Sequence, residues 1–187
     1  MSGAEVVATL LGLLGVGLMV RQHVWAWPVG IVQVIVSAWV FWHSRLYSDV
    51  VLQGIFLGLQ VYGWWAWTRG RPAAGAALPV TRLGGRACAA LTGVGLLAMV
   101  AWGEGMRRLT DAALPHADAF ILVFSVLAQW LQARKRLESW LVWIAVNVVA
   151  VGVYAARGLF LFSGLYAAFL VLAVVGYRAW RRAEVRL

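Results

Sequence analysis

The sequence predicts an all-α integral membrane protein with seven transmembrane helices, arranged as two three-helix units in parallel repeat around one reversing helix. Three observations carry this prediction. The composition is too apolar for a water-soluble fold, the apolar runs have the length of a bilayer crossing, and the second half of the chain repeats the first at a fixed offset.

Of the 187 residues, 63% are hydrophobic and 12% are charged, against about 45–50% and about 25% in a soluble domain. So few charges cannot cover a folded chain of this size in water, and lipid is the partner that suits it. Twelve Trp point the same way, because indole settles at the bilayer interface with its ring among the acyl chains and its N–H near the headgroups. Trp25, Trp27, Trp67, Trp140 and Trp180 read as such anchors. The net charge of +9 is no sign of nucleic-acid binding, since the Arg residues sit in short gaps between apolar runs, which is how topogenic charge is laid out. The single Cys88 excludes a disulfide framework and a Cys-based metal cluster. The first apolar run has no basic region ahead of it and carries Glu5 near its start, so no cleavable signal peptide is expected.

A bilayer core takes about 20 helical residues to cross, and seven runs meet that ruler, at roughly 3–20, 25–43, 48–68, 86–103, 117–133, 138–156 and 159–180. Backbone groups in lipid must be satisfied within their own segment, so the runs are predicted as helices. The fourth, rich in Gly and Ala from Arg86 to Trp102, is the weakest. Gly12, Gly15, Gly54, Gly58 and Gly63 allow close helix approach. Basic residues in the gaps give direction. Arg21, Arg69, Arg71, Arg82, Arg86, Arg134, Lys135, Arg136, Arg178, Arg181, Arg182 and Arg186 fall on one side, and only Arg45, Arg107, Arg108 and Arg157 on the other. The richer side is predicted to be cytoplasmic, which leaves the amino terminus outside and the carboxy terminus inside.

Residues 27–67 align without a gap on 140–180, an offset of 113 that pairs Trp27 with Trp140, Gly63 with Gly176 and Trp67 with Trp180. Such a repeat in a membrane protein predicts two equivalent units. Three spans reverse the chain, so a fourth is needed before the second triplet can start on the same side. The chain is therefore one membrane domain, 1–187, with repeat one at 3–68, a linker helix at 86–103 and repeat two at 117–180. Some transporters use parallel repeats of this kind for alternating access between the halves.

Polar side chains at bilayer depth are costly, so each is a candidate for function. Gln53, Gln60 and Trp64 share a face of the third run, Gln129 lies four residues after Ser125 in the fifth, and Trp143 and Asn147 stand four apart in the sixth. Tyr166 in the seventh is the repeat partner of Gln53. Amides and a phenol hydrogen-bond polyols and carboxamides without charge, while Trp faces stack on flat rings and attract cations. The set suits a small solute with an aromatic, cationic ring and a polyol. His23, His43 and His116 are scattered and make no metal site, no cofactor is implied, and Tyr47 and Asp49 with His43 give an enzyme only an incomplete set. The acids Asp49, Glu104, Asp111, Asp118 and Glu138 lie near run ends, which favours facilitated diffusion over ion coupling.

Several stretches then resemble a known family. Trp27-Pro28-Val29-Gly30-Ile31, Leu46-Tyr47-Ser48-Asp49 and Tyr62-Gly63-Trp64-Trp65-Ala66-Trp67 resemble the PnuC family of bacterial nicotinamide riboside transporters. So do Ala128-Gln129-Trp130-Leu131, Arg134-Lys135-Arg136, Glu138-Ser139-Trp140 and Gly176-Tyr177 with Trp180-Arg181-Arg182. The likeness runs from about 25 to 182. It implies a three-plus-one-plus-three architecture like the sugar-carrying SWEET fold, a homotrimer in the bacterial inner membrane, and facilitated diffusion of nicotinamide riboside, trapped inside by a kinase. It assigns ring and ribose binding to Gln53, Gln60, Trp64, Gln129, Trp143, Asn147 and Tyr166. Related proteins carry thiamine or riboflavin, so the resemblance leaves the particular vitamin open.

Overall fold

The computed structural model describes residues 3–43, 45, 47–69, 78–111 and 113–184, with backbone alone at 47–49. Arg71 and Arg186, and the side chains of Tyr47 and Asp49, lie outside the described residues. Seven helices fill the described chain: α1 (Gly3–Val20), α2 (Ala26–His43), α3 (Tyr47–Arg69), α4 (Gly85–Leu109), α5 (Pro115–Ala133), α6 (Glu138–Ala156) and α7 (Phe160–Arg182). Each follows one of the seven apolar runs, and six are long and apolar enough to cross a membrane.

The exception corrects the reading of the weakest span. It is α3, whose 23 residues suffice in length but include Gln53 and Gln60. The fourth run is instead the longest helix, with 25 residues. Its apolar stretch stops at Trp102, yet the helix continues because Glu104 accepts bonds of 2.7 Å from both Arg107 and Arg108. These are pairs one helical turn apart, which stabilise a helix rather than end it.

Among the described residues, helix contacts run from α1 to α2 to α3, across to α5, α6 and α7, and from α7 back to α1, with α4 against α5. The offset of 113 carries α1 onto α5, α2 onto α6 and α3 onto α7 to within a residue at each end. The bends obey it too. Left-handed backbone occurs at Gln22 (φ 55°) and Lys135 (φ 50°), and at Arg45 (φ 59°) and Gly158 (φ 71°), two pairs each 113 apart. After α1, Gln22 N–H bonds to Met19 O and His23 N–H to Leu18 O; after α5, Lys135 N–H bonds to Gln132 O and Arg136 N–H to Leu131 O. Both are the helix-ending motif in which a left-handed residue turns two amides back onto the last carbonyls.

The tryptophans depart from the sequence expectation. Only Trp25, 61% exposed, sits as an anchor would; Trp27, Trp67, Trp140 and Trp180 are buried. Trp27 meets Trp67 edge to face at 5.4 Å, Trp140 meets Trp180 the same way at 5.4 Å, and Trp67 and Trp180 approach to 6.0 Å between them. Glycine makes the room. A Cβ on Gly63 would lie 2.2 Å from the Trp27 ring, and one on Gly176 2.5 Å from Trp140. The indoles also cross between triplets: Trp67 Nε1 donates to Ala133 O and Trp180 Nε1 to Met19 O, each at 3.1 Å. Composition cannot separate a Trp facing headgroups from one facing another Trp, which is why the anchor reading fails at four of the five positions.

Outside this layer lies the segment 78–84. Thr81 N–H bonds to Lys135 O, Leu137 N–H to Thr81 O, and Leu83 N–H to Glu138 Oε2. Val80, buried, pairs in parallel with Glu184, whose carboxylate meets Arg82 at 2.6 Å. The segment thus straps the α5–α6 turn to the end of α7, over the arginine-rich end of the bundle.

Candidate functional site

A cavity of about 1000 Å³ opens inside the ring of six helices and extends out of it along α4. Its polar lining comes from five helices: Gln33 on α2, Gln53 and Gln60 on α3, Ser125, Gln129 and Gln132 on α5, Trp143, Asn147 and Tyr154 on α6, and Tyr166 on α7. Phe56, Phe169 and Met19 supply apolar wall between them, and Trp140 belongs to the lining at the tryptophan layer. At the other end the space runs along Trp102, Met106 and Leu109 of α4 to Asp118 and Arg157, which pair at 2.7 Å. These two are the charged groups among the described lining residues.

The sequence assigned seven side chains to one site. The structure brings six together in this lining, Gln53, Gln60, Gln129, Trp143, Asn147 and Tyr166. Trp64 stands apart, 44% exposed beside Val61 and Trp65, and it does not reach the cavity. It lies 40° around the helix from Gln60 at about 100° per residue, far enough to face outward. Sequence reasoning left out Gln33, Gln132, Tyr154 and the Asp118–Arg157 pair. Gln33 and Gln132 were open to the same depth argument as the others, but Gln132 lies in the last turn of its run, where a polar residue costs little.

Neighbours hold several of these groups in place. Trp143 Nε1 donates to Gln132 Oε1 at 2.8 Å, which fixes the indole plane from an amide on the adjacent helix. Gln33 Nε2 donates to Ser37 Oγ one turn along at 3.1 Å. Tyr154 and Tyr166 stack at 5.1 Å and 19°, making a flat aromatic wall, and Phe169 meets Tyr166 edge-on at 6.1 Å. Asn147, Gln129, Gln132 and Ser125 are all buried. Gln60 differs, because its Oε1 is buried without a hydrogen-bond partner. That oxygen is closed off from the cavity as well, so Gln60 lines the wall through the rest of its side chain.

A polar-walled, aromatic-sided chamber inside a ring of membrane-length helices, roofed at one end by indoles, fits a multi-pass membrane transporter for a small molecule. The chain belongs to the nicotinamide mononucleotide transporter family, whose model matches residues 2–182. It is 29% identical over 204 residues to the nicotinamide riboside transporter PnuC of Escherichia coli, covering 96% of this chain and 85% of that protein. It is also 29% identical over 182 residues to the riboflavin/roseoflavin transporter RibM of Streptomyces davaonensis, covering 95% of this chain and 84% of the relative. Among solved structures, the crystal structure of the vitamin B3 transporter PnuC superposes with a TM-score of 0.75 at 24% identity, over 95% of this chain and 80% of that one. That likeness shows a shared fold.

Proposed function

We propose that the protein carries nicotinamide riboside across the bacterial inner membrane by facilitated diffusion, binding it in the central cavity between the two helix triplets. The observation that carries this is the lining: an indole and two stacked tyrosines for a flat cationic ring, amides for a carboxamide and ribose, and no free charge among the described lining residues. A riboside is preferred to its mononucleotide on the same ground. A phosphate would need an unpaired Arg or Lys, and Arg157 already pairs with Asp118 at 2.7 Å. Facilitated diffusion follows from the same lining, where the carboxylate of Asp118 sits at the far end beside its cation.

We read the chain as a three-plus-one-plus-three, SWEET-like arrangement, with repeat one at 3–68, linker helix 86–103 and repeat two at 117–180. The matched helix ends, bends and tryptophan pairs support it. With the amino terminus outside and the carboxy terminus cytoplasmic, the tryptophan layer and its strap close the inner end and the chamber faces outward. The homotrimer stays part of the proposal; α4, outside the ring with Val94, Leu97 and Val100 exposed, offers it an apolar face. The alternative reading, riboflavin in place of nicotinamide riboside, draws on the equal identity to RibM and on a volume at the upper end of ligand sites, about 300–1000 Å³.

The test is uptake into liposomes without an ion gradient or ATP, with nicotinamide riboside, its mononucleotide, thiamine and riboflavin offered to one preparation. Equilibration of nicotinamide riboside alone is expected. Uptake that an ionophore abolishes would replace diffusion with ion coupling, and preferred uptake of the mononucleotide or riboflavin would replace the cargo.

A further inference from the structure

We propose that Gly30 is a positioning residue of the binding site: its missing side chain is the seat on which the Gln60 carboxamide rests, and this makes the two walls of the chamber chemically different. The inference rests on the reading of the cavity as the cargo site. Gly30 is buried in α2. A Cβ built on it would lie 2.3 Å from Gln60 Nε2, 2.6 Å from Cδ and 2.7 Å from Oε1. All three atoms of the amide group crowd one point, so the head of Gln60 occupies the space that any other residue at position 30 would fill.

Two comparisons inside the molecule show what this seat is for. At Gly63 and Gly176 the missing Cβ faces a Trp ring, a rigid body in a packed layer, and those glycines serve packing. At Gly30 the neighbour is the end of a flexible side chain. An added methyl there would swing the amide away at small cost to folding, so the glycine governs where the amide lies and not whether the helices pack. The second comparison uses the offset of 113. The counterparts of Gly30 and Gln60 are Trp143 and Ala173, and all four line the cavity. At this pair of positions, in one triplet α2 contributes no side chain and α3 an amide. In the other, α6 contributes an indole and α7 a methyl. Side-chain bulk has changed places between the helices, so the chamber meets its cargo with a ring on one side and an amide-bearing side chain on the other. A side chain at position 30 would displace that amide from its seat.

Equilibrium binding of nicotinamide riboside to detergent-purified protein tests this with the parent, Gly30→Ala, Gln60→Ala and the double variant, each with a thermal melt. Each single change is expected to weaken binding roughly tenfold, the size of one lost hydrogen bond, with melting temperatures close to the parent. The double variant is expected to bind no more weakly than Gln60→Ala alone, because the methyl then has no amide to displace. Parent-like affinity of Gly30→Ala, or additive losses in the double variant, would overturn the role of Gly30 and leave the cargo site intact. Parent-like affinity of Gln60→Ala overturns it as well. Failure of the parent to bind nicotinamide riboside overturns the cargo reading itself, and this inference with it.

Discussion

Lys135 holds its ammonium 4.4 Å from the centre of the Trp67 ring and donates to Gln22 Oε1, 113 residues earlier in the chain, at 3.1 Å. Only 4% of the residue is exposed, and burial draws the amine down to about 8 from an ordinary 10.5. The folded protein therefore binds fewer protons at this site than the unfolded chain between those two values. Stability carries the full burden below pH 8 and rises as pH climbs toward 10.5. Melts in detergent across that window should show the parent gaining on Lys135→Met, and parallel curves would mean that Lys135 titrates like a free lysine. This arrangement was hidden in the sequence, where Arg134-Lys135-Arg136 reads as a topogenic cluster. Gln60, Asn147 and Tyr166 were legible, because a polar group in the middle of an apolar run has few reasons to be there. Trp64 was misplaced since helical period groups residues on a stripe without saying how wide the buried part of the stripe is.

The helices themselves were the most legible feature. Each apolar run is bounded by charge, and the boundaries moved by a few residues at most except at α4, where Glu104 and its two arginines prolong the helix. The correspondence at an offset of 113 was legible only in part. Trp and Gly pairs exposed it over 27–67, while α1 and α5 share too few residues to align, and their equivalence emerges from the identical turns that end them. The glycines divide by what they face. Gly54 and Gly58 have open space around the missing Cβ, whereas Gly63 and Gly176 each touch an indole. Gly63→Ala and Gly176→Ala should each destabilise the protein by about 1–3 kcal/mol, the usual cost of overpacking, visible as similar drops in melting temperature. A drop in only one variant would show that the two contacts do unequal work.

At the scale of the molecule, the proposed orientation has cargo released past the tryptophan layer at the arginine-rich end, and the strap at 78–84 lies across that end. Val80 and Glu184 pair as neighbouring strands do, with backbones close enough for a disulfide. In a Cys88→Ser background, Val80→Cys with Glu184→Cys should stop liposome uptake on oxidation and recover it on reduction. Undiminished uptake by the cross-linked protein would show that the strap rides along without gating. Neither strap nor ring was readable from the chain alone, since both depend on contacts between residues far apart in sequence.

The crossed bond from Trp180 to Met19 spans 161 residues, and it has a bearing on how the protein is made. A ribosome adding about 5–20 residues per second inserts α1 roughly 8–32 s before the partner it will finally hold leaves the tunnel. Through that interval the first helix has only α2 beside it, and the chamber has no wall on that flank. The ring of six helices is therefore closed only when α7 arrives, and a nascent chain stalled short of it lacks the wall that α7 gives the cavity.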